Sequence, residues 1–455
     1  MRLRRKSTFG LFIGITSLAA ASPCPVEMPV PGELDVAAML GSAVAIDGDV
    51  AAVGAMFDTG VAWATGAVYV YRRTGDIWQQ EARLIADDAD WGDMLGVSVD
   101  IRGDTVIAGA WFNDAMGGNS GAAYIFERDG GGNWSFKQKL IDPAGGADDL
   151  FGRTVAIESD FCAIGTSLDD DQGMSSGSIT VFDRLGDGTF AWSTKLLHPG
   201  GGEGDQLGLA LATDGDRILG GAPWSDDGRG EVHLWERLGG VWTSVWNMSN
   251  SGGNADDYFG FALAIENDHM AIGCYRDDTA AIDAGSIWIL EGAPSEWDIT
   301  QHFSPAAQVG EQFGVSLGLS GDRMLVGSRF GSVDGISAGK VDVFSRSGGG
   351  WVATDVMLPT TPAPDAEYGW SVAIDSDHAL VGAPYQPDRG DVMAFAGLTS
   401  PCGCATDLNG DGTTGVDDLL TLLEAWGATA EGDIDGDGNT GVDDLLALIA
   451  GWGVC

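Results

Sequence analysis

The sequence predicts an all-β fold, a seven-bladed β-propeller, with a small α-helical unit at its C-terminal end. Three observations lead there. A Leu-Gly, Phe-Gly or Tyr-Gly pair recurs with its glycine at Gly41, Gly96, Gly152, Gly208, Gly260, Gly314 and Gly369, in steps of 55, 56, 56, 52, 54 and 55 residues. A second glycine follows each by 13 residues, at Gly54, Gly109, Gly165, Gly221, Gly273, Gly327 and Gly382. Such self-similarity marks a repeat architecture, because one unit cannot bury its apolar face alone. The chain then ends in two near-copies, DLNGDGTTGVDDLLTLLEAWG at 407–427 and DIDGDGNTGVDDLLALIAGWG at 433–453, each an acidic loop followed by an apolar pattern of helical period.

Residues 1–22, MRLRRKSTFGLFIGITSLAAAS, combine a basic start, an apolar stretch and small residues before a cleavage point, as a secretory signal peptide does. No later run reaches the ~18 apolar residues of a membrane span. The expected location is therefore secreted or at the cell surface. In each repeat the 13-residue interval reads as a β-hairpin. Apolar pairs such as Val44/Ile46, Val99/Ile101 and Val155/Ile157 alternate as a half-buried strand does. Every copy then has Asp eight residues past the first glycine (Asp49, Asp104, Asp160, Asp216, Asp268, Asp322, Asp377), a turn residue. Third strands follow as GAVYVY, GAAYIF, GSITVF, GEVHLW, GSIWIL, GKVDVF and GDVMAF. In the first six units a fourth strand opens at Trp78, Trp134, Trp192, Trp242, Trp297 or Trp351. Four antiparallel strands repeated seven times make a propeller, which protects sheet edges by radial repetition. The seventh unit stops near Gly397, and residues 26–30 align as its missing outermost strand, so the propeller spans 23–397.

The Phe-Gly … Gly-Ala-Pro arrangement, fullest in GAPW and GAPY, resembles the FG-GAP repeat family, which includes the integrin α propeller. The resemblance implies the propeller fold and ligand or partner binding on one face. Some members carry Asp-x-Asp-x-Asp-Gly calcium loops in their blades; none is present in these repeats.

A net charge of −44 disfavours nucleic acid and anionic membrane surfaces as partners. Acids lie near each Gly-Ala-Pro (Asp58, Asp114, Asp169, Asp226, Asp277, Asp334, Asp388), and five more stand three residues before a first glycine (Asp93, Asp149, Asp205, Asp257, Glu311). The two loop sets share one end of the blades, where they would either cap loops or form an acidic ring for a cation or basic partner. Five histidines (His198, His233, His269, His302, His378) are scattered, and no nucleophile with its base or close carboxylate pair is legible. RDGGGNW at 128–134 reads as a hairpin turn.

After a linker at 398–404, residues 405–455 hold two calcium loops. Asp407, Asn409, Asp411 and Asp418 take loop positions 1, 3, 5 and 12, with Thr413 offering its carbonyl at 7; Asp433, Asp435, Asp437, Asp444 and Asn439 repeat the set 26 residues on. Ca²⁺ requires six to eight oxygens, which this spacing curls around Gly412 and Gly438. No entering helix fits before either loop. The exit helices carry apolar stripes, Val416, Leu419, Leu420, Leu423 and Trp426, then Val442, Leu445, Leu446, Ile449 and Trp452. Two such loop–helix (F-hand) units resemble a type I dockerin, the module that plugs secreted proteins into cohesin-bearing scaffolds. The resemblance implies two Ca²⁺ ions and a cohesin-like or other surface or scaffold protein as partner. Positions 10 and 11 are Val416-Asp417 and Val442-Asp443, where familiar dockerins often place a hydroxyl pair. The flanking cysteines suit a Gly-Cys variant of the module, in which Cys455 would bond Cys404 or Cys402 and the remaining one would reach Cys24.

The expected function is thus an exported, non-catalytic binding or adhesion propeller for a protein or glycan, attached through a calcium-dependent dockerin-like module. The alternative is a dockerin-borne polysaccharide-degrading enzyme with its active site on the propeller face.

Overall fold

A computed structural model describes residues 23–26, 28–75, 77–294, 296–333, 335–398, 408, 413–427, 432, 434, 440–450 and 453–454. They form two units, a β ring and a C-terminal helical unit. The segment read as a signal peptide lies outside the described residues.

Seven four-stranded sheets make the ring. Blade 3, for example, runs Phe151–Ile157, Phe161–Thr166, Ser178–Arg184 and Phe190–Leu197, each strand antiparallel to the one before. Blade 4 runs Ala210–Asp214, Arg217–Ala222, Glu231–Leu238 and Val241–Ser249. Second strands such as VAAVGA and FCAIGT are buried at every residue, since the neighbouring blades cover both of their faces. That explains their unbroken small and apolar composition. Fourth strands such as Val241–Ser249 keep alternate residues in solvent. Blade 7 takes its outer strand from Cys24–Val26, which pairs with Asp391–Ala396. This overlaps the expected 26–30 only at Val26, and within that segment Pro29 offers no ladder N–H. Val44, Val53 and Tyr69 of blade 1 share one apolar cluster with Leu380 and Val392 of blade 7, so the ring closes through a common core.

The two motif glycines are required for different reasons. Each first glycine has φ between +84° and +91°, a conformation that side chains disfavour. At each second glycine a Cβ would fall 1.9 to 2.2 Å from the carbonyl oxygen of the next blade's first glycine, from Gly54 against Gly96 round to Gly382 against Gly41. The repeat is therefore a blade-to-blade contact as well as a hairpin register. Hydroxyls reinforce the seam: Ser98 donates to Gly152 O at 2.9 Å, Thr154 to Gly208 O at 2.8 Å, and Ser371 to Gly41 O at 2.8 Å. At the opposite end of the blades, carboxylates on one hairpin accept an amide of the next, as Asp47 does from Gly103 (2.5 Å), Asp214 from Asn267 (2.6 Å) and Asp375 from Gly48 (2.6 Å).

In the C-terminal unit two nine-residue helices, Val416–Glu424 and Val442–Ala450, pack together, and Thr413–Thr414 pairs with Gly453–Val454. Among the described residues of this unit the buried apolar ones are Leu422, Ala425 and Leu448. The stripe legible in sequence faces solvent instead: Val416, Leu420 and Leu423 on one helix, and Val442, Leu446 and Ile449 on the other, are 49 to 63% exposed. Among the described residues no helix is long and apolar enough to cross a membrane.

Candidate functional site

The loops from second to third strands and those from one blade to the next meet at one end of the ring. Amides of the first set donate to carbonyls of the second, as Leu168 does to Asp149 (3.2 Å) and Phe330 to Glu311 (3.3 Å). Two sets of side chains gather on this face because of their place in the repeat. The residues immediately after the first glycines include Arg153, Leu209, Phe261, Val315 and Trp370, which line a cavity of about 130 Å³. The residues two and three past the second glycines read Met56-Phe57, Trp111-Phe112, Ser167-Leu168, Pro223-Trp224, Tyr275-Arg276, Arg329-Phe330 and Pro384-Tyr385, aromatic in every blade but the third.

These sets interlock into a crown of rings and guanidinium groups. Arg153 sits 4.4 Å over Trp111, Arg276 5.6 Å over Tyr258, and Arg329 5.1 Å over Trp370. Tyr258 stacks on Tyr275 at 5.6 Å, Phe261 meets Tyr275 at 4.4 Å, and Trp224 meets Tyr258 at 4.7 Å. Trp63, Trp91, Trp224 and Tyr385 remain exposed around it. Arg276 faces Asp283 at 3.5 Å and Arg329 faces Glu367 at 3.7 Å. Arg153 has no carboxylate within ion-pairing distance among the described residues. Burial pulls its pKa down to about 10, so it keeps its charge at neutral pH. An unpaired guanidinium beside aromatic faces at a small cavity is equipped to hold a planar or sugar ring that presents an anionic group.

The acids read as a possible ring point elsewhere. Asp93, Asp149, Asp205, Asp257 and Glu311 are all buried, each closing its loop by accepting an amide three residues earlier, as from Asp90 (2.9 Å), Gly146 (2.5 Å) and Gln308 (2.8 Å). Of the acids near Gly-Ala-Pro, Asp58, Asp169 and Asp277 are buried, Asp114, Asp226 and Asp388 are exposed, and Asp334 lies outside the described residues. Asp58 is bound by Arg83 and by the Tyr69 hydroxyl (2.5 Å), and Asp169 by Lys195 (2.6 Å) and Ser178 (2.8 Å). Loop capping is what most of these carboxylates do. The aromatic crown escaped the sequence reading, although aligning residues after the second glycine would have exposed it. Asp129 accepts the amides of Gly131 and Asn133 at 2.8 and 2.9 Å, which makes 128–134 a turn.

In the C-terminal unit Asp418 and Asp444 are 1% exposed at the helix N-termini. Each takes the amide three residues earlier, from Gly415 (2.7 Å) and Gly441 (2.6 Å), and Asp444 also accepts Ile434 N at 2.6 Å, inside the loop. Thr413 opens the short strand pair. Asp407, Asn409, Asp411, Asp433, Asp435, Asp437 and Asn439 lie outside the described residues. Cys24 is disulfide-bonded, while Cys162 and Cys274 are free and buried.

Residues 78–126, 134–182, 242–290 and 351–395 match the FG-GAP repeat family. Each match starts near a fourth strand and runs through the next blade's third strand, so the family's unit straddles the seam that the glycines hold. No curated protein matches the chain. The chain thus carries FG-GAP repeats on a seven-bladed β-propeller.

Proposed function

We propose that the protein is an exported, non-catalytic binding propeller that holds a protein or glycan on its loop face. The observation that carries this reading is the unpaired Arg153 at a small cavity, inside a crown of aromatic rings. Such a surface gives stacking area and a localised charge without a base or nucleophile to drive turnover. The ligand would offer sugar or aromatic faces together with a carboxylate, as an acidic glycan or an acidic peptide does. The test measures binding of the full chain to acidic glycans and acidic peptides, alongside Arg153→Gln and Trp370→Ala. The captured ligand should lose at least about tenfold affinity with either variant, the worth of one such contact. Unchanged affinity, or chemical turnover of the glycan, would sink the reading.

The C-terminal unit would bind two Ca²⁺ ions and dock onto a cohesin-like or other surface or scaffold protein. Its support is the chemistry of the donor set and the two buried position-12 carboxylates, each turned toward its loop by the amides it accepts. The matched exposed faces Val416/Leu420/Leu423 and Val442/Leu446/Ile449 offer the partner an apolar surface twice over.

A further inference from the structure

Blades 1 to 6 each hold a slot of buried polar side chains at fixed repeat positions. In blade 6 the slot is Ser304, Glu311, Lys340 and Asp342, with the lysine ammonium 2.9 Å from each of the other three. In blades 1, 2 and 3 the cation comes from the fourth strand, as Arg83, Lys139 and Lys195, each paired across from a third-strand residue (Tyr69, Tyr124, Thr180). Blade 4 has no lysine or arginine here. Its equivalents of Ser304, Glu311, Lys340 and Asp342 are His198, Asp205, Glu231 and His233, and its fourth-strand position is Asn247.

We propose that a divalent transition-metal ion, Zn²⁺ first among them, takes the cation's place in blade 4, bound by His198, Glu231 and His233. Glu231 Oε2 lies 3.4 Å from His198 Nε2, and Glu231 Oε1 lies 3.3 Å from His233 Nε2. Ligands about 2.0–2.1 Å from a tetrahedral ion stand about 3.3–3.4 Å apart, so each imidazole already stands one ligand spacing from an oxygen of Glu231 and a small side-chain adjustment would bring the three donors onto one ion. One donor atom from each residue fits within 4.8 Å of the others. His233 is 1% exposed, yet neither of its ring nitrogens makes a hydrogen bond. Leaving a buried imidazole unsatisfied is costly, and an ion would remove that cost. Asp205 holds His198 Nδ1 at 2.8 Å, which orients the ring and leaves Nε2 toward the site, the outer-shell pairing that metal-binding histidines use. A Cβ at Gly201 would fall 2.0 Å from that same Nδ1, so the His198 ring lies where only glycine admits it. Three protein ligands leave a fourth position, and Glu231, the least buried of them, marks the way in.

The test uses the full chain in saturating Ca²⁺, titrated with Zn²⁺ by calorimetry and with Co²⁺ by visible absorption. One Zn²⁺ should bind per chain with tetrahedral Co²⁺ bands, both lost in His233→Gln and kept in His302→Gln, and Asp205→Asn should weaken binding about 10–100-fold. Should His233→Gln fail to fold, Asn247→Lys answers instead. It alters an exposed side chain, keeps all three ligands, and restores the ammonium found at this register in blades 2 and 3, so it should abolish binding. No binding by the wild type, or binding and Co²⁺ bands unchanged in His233→Gln or Asn247→Lys, would overturn the site and leave a buried ion-pair network.

Discussion

Substituting Gly165 by alanine probes the seam directly. Gly165 φ is not in the left-handed region, so a methyl group there brings no backbone strain and acts through space alone. Its Cβ would stand 2.0 Å from Gly208 O and 2.3 Å from Thr154 Oγ1. Contacts under 3.0 Å are not tolerated, so the carbonyl of blade 4 must retreat by about 1 Å. That movement takes the Thr154 hydroxyl, now 2.8 Å away, out of bonding range. Overpacking costs about 1–3 kcal/mol and the lost hydrogen bond about 1, for a total of about 2–4 kcal/mol. Gly239→Ala is the matched control, because Gly239 has φ +62° in the hairpin turn between Leu238 and Val241 with nothing within 4 Å of a Cβ. There the strain of about 1–2 kcal/mol is partly offset by the stiffer unfolded chain. Thermal unfolding by calorimetry and far-UV circular dichroism should show Gly165→Ala lowering Tm by at least twice as much as Gly239→Ala. Equal losses would refute the argument that the second glycine is retained for the neighbouring blade.

Three further outcomes follow from the buried charges. Burial pushes the Asp257 carboxyl up to about 6, and Asp93, Asp149 and Glu158 shift the same way, so the folded state keeps protons that the unfolded chain releases near pH 4. Stability therefore falls as pH rises through that window, and Tm should climb on acidification from about 7 to about 5, less steeply in Asp257→Asn; a Tm that drops from neutrality would contradict it. Lys340→Met leaves Glu311 and Asp342 buried without their ammonium and should cost about 3–5 kcal/mol at neutral pH, with much of it regained in acid. Asp418→Ala with Asp444→Ala removes both helix caps and both position-12 carboxylates, so the gain in helical signal on adding Ca²⁺ to the full chain should disappear; a wild-type response in the variant would remove Ca²⁺ from the C-terminal unit.

Much of the ring was legible because its determinants repeat. Seven glycine pairs at one interval fix the hairpin, and apolar alternation fixes which face is buried. What sequence could not supply was the direction of loop side chains. Asp93 and Asp148 are both acids in blade-connecting loops, yet one is buried and the other exposed, since only Asp93 stands three residues past an amide that needs an acceptor. The C-terminal helices show the same limit. Their apolar residues outnumber what two short helices can bury against each other, and the stripe that stood out is the one left in solvent, while Leu422 and Leu448 carry the packing. The histidines looked scattered because 35 residues separate His198 from His233. Their common place is visible only when the loop into a blade is aligned with that blade's third strand.

The seams also explain how so regular a ring can carry local chemistry. Glycine-to-carbonyl contacts set the blade spacing without side chains, so the polar slot beneath each seam is free to change. Blade 1 fills it with Tyr69, Asp58 and Arg83, blade 5 with Asp277, Ser286 and Gln301, and blade 6 with Lys340 and two acids. The buried acids in these slots are met by a cation or by neutral donors within a few ångströms, and in a dry environment such compensation must be local. In blade 4 a positive ion among Asp205, Glu231 and the two imidazoles would serve the same end. Burial, with the neighbouring His198, pushes His233 down to about 4, so its ring stays neutral, and neither of its nitrogens makes a hydrogen bond. Thr180 Oγ1 and Trp288 Nε1, at the same repeat position in blades 3 and 5, also lack a hydrogen bond, so what sets blade 4 apart is the pair of imidazoles beside a carboxylate.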